Sequence, residues 1–254
     1  MLNANPLNLQ NKLMNGILHL IFATPGSSVF AFLSSAFEPV SHSNAFILYP
    51  KKETPKEVFP STSWDWDSKD FKFQTHNEDK IEEWILFLSN DIEVADQVEA
   101  ALRMLSIHPD LHMGRILVFL NAQTLAEEEN LYPWLDGCAH FADVICFSNR
   151  ENSNGKHVQD CIKRYSSMRY PLETYLLSKK NVPVSSIFNP IARRISHVFD
   201  SGINLHITSQ RAIPSTFLDP KIKNRSRLFY LMANIEVSKI KGKDNWALLI
   251  DQNA

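Results

Sequence analysis

Short apolar runs alternate with amphipathic stretches along most of the chain. "GILHLIFA" (16–23) is a mostly apolar run of the kind found in strands covered on both faces, and "SVFAFLSSAF" then sets Val29, Phe30, Leu33 and Phe37 at helical spacing. "NAFILY" (44–49) predicts a second strand and "EEWILFLS" (82–89) a third. "DIEVADQVEAALRML" follows as a helix with Ile92, Ala95, Val98, Leu102 and Leu105 on one face. "GRILVFLNA" (114–122) is the fourth strand, and "LYPWLDGCAHF" puts Leu131, Trp134, Leu135 and Cys138 on one helical stripe. "DVICFS" (143–148), a helix over "NGKHVQDCIKRYSSM" (154–168) and "VPVSSIF" (182–188) supply the fifth strand, its helix and the sixth strand. Asn189 with Pro190 reads as an N-cap and first-turn pair opening a helix over "IARRISHVF".

Six alternations of strand and helix describe an α/β fold: a doubly wound, mostly parallel sheet of about six strands with helices on both faces. Ligands of such sheets sit beyond the carboxyl ends of the strands, which places Ala23, Ser89, Asn121 and Ser148 along one rim. Residues 1–13 are a polar lead-in, 14–200 the main domain, and 201–254 a C-terminal extension. In that extension "LFYLMANIEVSKI", "KGKD" and "NWALLID" suggest a β-hairpin. Residues 50–70, with prolines, lysines and "SWDWDS", read as an exposed excursion or a sheet edge.

With 254 residues, 44% of them hydrophobic, the chain has ample material for a buried core. Only 7 glycines and 13 prolines stand against 16 phenylalanines and 5 tryptophans, which argues for a tightly packed interior rather than disorder. A net charge of -2 creates no global field toward nucleic acid or a membrane. Cys138, Cys146 and Cys161 are odd in number and clustered, so no disulfide framework is expected and a reducing cytoplasm fits best. "KLMNGILHLIFATPG" makes a poor signal peptide, because its apolar run is short and interrupted by His19 and follows a long polar lead-in with the single Lys12. No apolar run reaches the 18 residues needed to cross a membrane.

Three pieces, "FLNA" (119–122), "ADVICFSNREN" (142–152) and "NPIA" (189–192), stand in an order that resembles the CobW-type metallochaperone GTPases, P-loop proteins with "VVDA", "ADVILLNKTD" and "NPxA". "WILFLSNDIEVADQV" is similar to that family's strand and "ETTGLADPAPV" segment, and "ATPGSSVF" falls where the family has "GFLGAGKT". The resemblance covers roughly residues 15–200 and rests on order and apolar pattern more than on identities. It implies a P-loop NTPase-type domain, GTP with magnesium as ligand, and a place in metal homeostasis.

The departures change the chemistry. A Walker loop works because backbone N–H groups wrap the phosphates, a lysine neutralises the β and γ oxygens, and a hydroxyl holds magnesium. Here Val29 replaces the lysine and Phe30 the magnesium ligand. Each lost charge-assisted contact is worth about 1.5 to 3 kcal/mol, an order of magnitude or more in affinity. Gly26, Ser27 and Ser28 are a remnant anion nest at a helix N-terminus, or a plain strand-to-helix turn with Ser27 or Ser28 as N-cap. The family's second-strand carboxylate falls at Leu88 and its following glycine at Asp91, a displaced substitute for the lost acid. The guanine-reading NKxD falls on Ser148, Asn149, Arg150 and Glu151, or with one residue of slip on Asn149, Arg150, Glu151 and Asn152. The candidate nucleotide residues are therefore Gly26, Ser27, Ser28, Asp91, Asn149, Arg150 and Asn152, with no catalytic residue assigned.

The family's metal-binding CxCC run is absent, and Cys138, His140, Cys146 and Cys161 match no zinc spacing, so buried packing is their expected role. His157 and Cys161, at i and i+4, share a helix face if that helix forms, a common chance pairing. Arg193, Arg194 and His197 fall opposite Ile191, Ile195, Val198 and Phe199 on a helix, which predicts a solvated basic face. Between 221 and 243 seven Lys and Arg face Glu236 alone, most simply solubilising charge. The expected function is that of a pseudo-GTPase, a binding or scaffold protein with an unidentified protein partner and no membrane or nucleic-acid partner. GTP with magnesium would bind weakly if at all. The alternatives are a working GTP- or ATP-binding NTPase with displaced ligands, and anion or RNA binding through the basic C-terminal segment.

Overall fold

The computed structural model describes residues 14–36, 45–52, 60–74, 81–128, 130–177, 184–189 and 191–199. The chain divides into Met1–Phe199 and Asp200–Ala254, and the second unit, with the expected hairpin and the basic segment, lies outside the described residues, as do residues 1–13 and Phe37. The described residues form eight strands: β1 (Gly16–Ala23), β2 (Ala45–Pro50), β3 (Ser61–Asp67), β4 (Asp70–Lys72), β5 (Glu83–Phe87), β6 (Leu111–Asn121), β7 (Val144–Ser148) and β8 (Glu173–Leu176). Their spatial order is β4-β3-β2-β5-β1-β6-β7-β8, and every neighbouring pair is parallel except β3 with β4. This is the doubly wound, mostly parallel α/β sheet that the alternation of elements predicts.

Helices cover both faces. They are α1 (Val29–Ala36), α2 (Val94–Ile107), α3 (Ala122–Glu127), α4 (Leu131–Phe141), α5 (Gly155–Ser167) and the single turn α6 (Val184–Ile187). On one face Val29, Phe32 and Leu33 of α1 and Ile187 of α6 pack with Ile21, Ile47, Ile85, Leu117, Val144 and Cys146 of five successive strands. On the other, Phe22 of β1 meets Trp134 of α4 edge-on, with centroids 6.4 Å apart. Central β1 lies between β5 and β6 and is covered on both sides, which is why its sequence is apolar without alternation.

Several expected elements differ. The sheet has eight strands rather than six, because, of the two readings open for residues 50–70, the sheet edge is the one that forms, as the hairpin β3 and β4. Trp64 anchors it, buried, with its Nε1 donating to the Phe87 carbonyl at 2.9 Å and its ring meeting Phe71 at 4.9 Å. The far edge is β8, not residues 182–188, where the described part forms α6 and Ile187 points into the core. Residues 191–199 are not helical. Asn189 Oδ1 accepts from the Ile191 N–H at 2.9 Å, an Asx turn in place of a helix cap. Arg194 and Phe199 are buried while Ile191 is 58% exposed, so the expected basic face does not exist. On α2 the buried positions are Val94, Ala95, Gln97, Val98, Ala100, Ala101 and Met104, which rotates the core face away from Leu102 and Leu105 and leaves Ile92 ahead of the helix.

Candidate functional site

Because the sheet is parallel, the carboxyl ends of β1, β5, β6 and β7 meet on one rim, with Ala23 beside Phe119 and Asn121 beside Ser148. The chain leaves β1 toward β2 and β5 on one side, then crosses to β6 on the other, so the turn after β1 sits at the point where the winding reverses. That turn is Thr24–Ser28. Thr24, buried, ties it to β6: its N–H donates to the Phe119 carbonyl at 2.9 Å, and its hydroxyl accepts from the Asn121 N–H at 2.8 Å. The Ser27 N–H closes the turn on the Thr24 carbonyl at 3.2 Å. Gly26 has φ +70° and Ser28 φ +58°, left-handed conformations, and a Cβ on Gly26 would stand 2.9 Å from Asn121 Nδ2.

Three carboxamides from three neighbouring loops donate into this turn. Asn90, after β5, donates to the Ala23 carbonyl at 2.9 Å; Asn121, at the end of β6, to the Pro25 carbonyl at 3.4 Å; and Asn149, after β7, to the Gly26 carbonyl at 2.8 Å. Asn149 also lies 3.4 Å from Asn121 Oδ1, which in turn accepts from the Gln123 N–H at 3.0 Å as the N-cap of α3. Asn149 itself is left-handed, φ +53°, a conformation asparagine tolerates, and its carbonyl accepts from Asn154 Nδ2 at 3.0 Å. The Ala23, Pro25 and Gly26 carbonyl oxygens are thus satisfied by the protein's own neutral amides.

The two positions that the resemblance assigns to the phosphate lysine and the magnesium hydroxyl are turned inward. Val29 is 5% exposed and belongs to the core under α1. The Phe30 ring lies on Phe87, with centroids 4.7 Å apart and planes 16° apart. No cation or hydroxyl stands at either place, so the residues present do not fit a magnesium triphosphate. Leu88, in place of the second-strand acid, is buried and spends its N–H on the Ile21 carbonyl at 2.9 Å.

Of the residues expected at the site, Gly26, Ser27, Ser28 and Asn149 come together. Asp91 instead pairs with Lys52 at 2.8 Å, both exposed, while Gln97 pins the loop before it through the Ser89 N–H at 2.7 Å. Arg150 reaches along its own segment toward Gly155 at the start of α5, and Asn152 is exposed in the turn before that helix. Asn154, not Asn152, organises the loop, its Oδ1 accepting from the Glu151 N–H at 2.8 Å. The sequence places Asn121 on the expected rim without a role and does not single out Thr24 and Asn90, whose only signal there is a position just past an apolar strand.

The remaining chemistry is structural. All three thiols are buried; burial pushes Cys161 up to about 12 and raises Cys138 and Cys146 as well. His157 is exposed on α5, while Cys161, one turn later on the same side of the helix, is buried. Among the described residues no group of three or more His, Cys, Asp or Glu could hold a metal, and no helix is long and apolar enough to cross a membrane.

No protein-family model matches the chain, and no curated protein matches it. Among solved structures it is similar to the Zn(II)-bound YjiA GTPase from E. coli, at 9% identity over 77% of this chain and 68% of that one, with a TM-score of 0.49. It is also similar to a Zn(II)-bound triple mutant of YjiA GTPase, at 11% identity over 70% of this chain and 62% of that one, with a TM-score of 0.47.

Proposed function

We propose that this chain is a degenerate CobW-like GTP-binding-type domain, a pseudo-GTPase that works in the cytoplasm as a binding or scaffold protein without efficient nucleotide hydrolysis. The observation that carries the reading is the fate of Val29 and Phe30. One is a core residue and the other stacks on Phe87, where a phosphate loop needs a lysine and a magnesium-holding hydroxyl. The amides of Asn90, Asn121 and Asn149 support it further, since the chain's own side chains hold the carbonyls of this turn and of the strand end before it. Calorimetric titration with GTP, GDP and ATP, each with magnesium, should give no saturable heat. Tight magnesium-dependent binding, or hydrolysis above a heat-treated control, defeats the proposal.

One observation favours a second reading, an NTPase with displaced ligands: Asn149 reaches the Gly26 carbonyl, so the two positions that version needs are in contact. On that reading Gly26→Leu abolishes nucleotide binding in a protein that still melts cooperatively. Binding unchanged by Gly26→Leu removes it.

A further inference from the structure

The end of the sheet opposite the turn carries a buried set of charges. Asp143, fully buried ahead of β7, accepts three hydrogen bonds: from the Ile116 N–H at 2.8 Å, from the Arg193 N–H at 2.5 Å and from Arg194 Nη1 at 2.9 Å. Arg194 Nη1 also donates to the Gly114 carbonyl at 3.2 Å. Arg115, 1% exposed, donates through Nε to the Asn189 carbonyl, and its Nη2 lies 3.6 Å from Glu173, which Arg193 approaches at 3.4 Å. Beside it His19 accepts from the Arg115 N–H at 3.1 Å, and the His19 Nε2 stands 4.0 Å from Glu83.

Asn189, Arg193 and Arg194 belong to the described residues 188–189 and 191–199, which cross this end of the sheet without helix or strand. Its attachment is therefore apolar and ionic. Phe188 supplies the apolar part, edge-on to His19 at 4.9 Å and stacked over Phe32 at 6.0 Å. The ionic part is imperfect: neither η nitrogen of buried Arg115 makes a hydrogen bond, and Nη2 has Glu173 only at 3.6 Å. Lifting the stretch would hydrate those groups, which offsets much of what docking gains. A segment held by few ladder bonds over unsatisfied buried charge is of the kind that opens below the global unfolding free energy.

We propose that residues 188–199 are an ion-latched strap, with Asp143 as its catch, that lifts from the sheet as a unit and uncovers Phe32 and Arg115 while the sheet stays folded. This stands apart from the nucleotide reading. Hydrogen exchange read by mass spectrometry on the full chain tests it. In Asp143→Asn, peptides from 188–199 should exchange at least about tenfold faster than in the unchanged protein, while β1, β6 and β7 keep their protection. Asp143 also holds the Ile116 N–H, so Arg194→Met serves as the second variant, cutting the strap's side of the latch and sparing that bond. The proposal is overturned if strap exchange is unchanged in both variants, or if strap and sheet peptides accelerate together at one rate.

Discussion

Replacing Val29 with lysine puts back the charge that a phosphate loop uses, at the position where the alignment of the turn calls for it. The structure predicts loss rather than gain. Val29 is 5% exposed and packed among Ile21, Phe32, Leu33 and Leu117, so removing it forfeits about 1.5 to 3 kcal/mol of apolar burial. An ammonium entering that core adds several kcal/mol of desolvation, only partly relieved if the lysine neutralises or threads its stem outward. Together these come to about 4 kcal/mol or more, against a total stability of roughly 5 to 15 kcal/mol. For a domain of this size each kcal/mol lowers the melting temperature by about 2–4 °C, so Val29→Lys should melt roughly 10 °C below the unchanged protein. Thermal melts followed by circular dichroism, with and without GTP and magnesium, give the answer, and nucleotide should not restore the lost degrees. A variant that melts normally and is stabilised by GTP with magnesium would mean that position 29 faces the loop, and the assignment of Val29 to the core would be wrong.

The other expectations use the same surroundings. Phe30→Ser removes a ring stacked on Phe87 and should cost about 2 kcal/mol in urea denaturation without conferring magnesium-dependent nucleotide binding; a neutral result would show that the stack contributes nothing. Gly26→Ala places a side chain at φ +70° and against Asn121, for a loss of about 1 to 2 kcal/mol, and equal midpoints would contradict that geometry. Burial, aided by Arg115, lowers the His19 pKa to about 4 from 6.5, so the unfolded chain binds a proton in acid that the folded one refuses. Its contribution is intact above pH 6.5 and erodes as pH falls toward 4, by up to about 1.4 kcal/mol per pH unit, and His19→Gln should flatten that slope in paired denaturation curves. With thiols held up by burial, Ellman's reagent should label none of Cys138, Cys146 and Cys161 in the native protein and all three in denaturant; rapid native labelling would show that the core opens there.

Strands covered on both faces were legible because burial leaves a mark that needs no partner to interpret. β1, β6 and β7 are apolar runs, and their buried residues lie where the runs lie. The edges were not. In β8 "ETYL" alternates half-buried with exposed positions, and β4 has only three residues, so neither carries the apolar density that separates a strand from a loop. The site was legible in its place and not in its wiring. Parallel winding alone puts Ala23, Asn121 and Ser148 on a common rim, but Asn149 reaches the Gly26 carbonyl across 123 residues of sequence and Asn121 the Pro25 carbonyl across 96. Spacing says nothing about contacts of that range. Asn189 misled for a related reason, since a side-chain oxygen two residues ahead of an N–H suits an Asx turn and a helix cap alike.

If the proposed pseudo-GTPase reading holds, the amides around the turn account for a loop that keeps its shape without a ligand. An opposite charge 4 Å from a phosphate oxygen is worth about 4 kcal/mol at an effective dielectric of 20, and a turn that relies on bound phosphate draws its order from terms of that size. Here no such term is required. The Ala23, Pro25 and Gly26 carbonyls accept from Asn90, Asn121 and Asn149, and Lys52 is engaged by Asp91. Each amide contact is a neutral hydrogen bond worth about 1 kcal/mol net, present at every moment, with no concentration dependence. On the reading proposed above, a turn held by its own chain would suit a scaffold better than a switch, because a ligand can shift only an equilibrium between states it distinguishes.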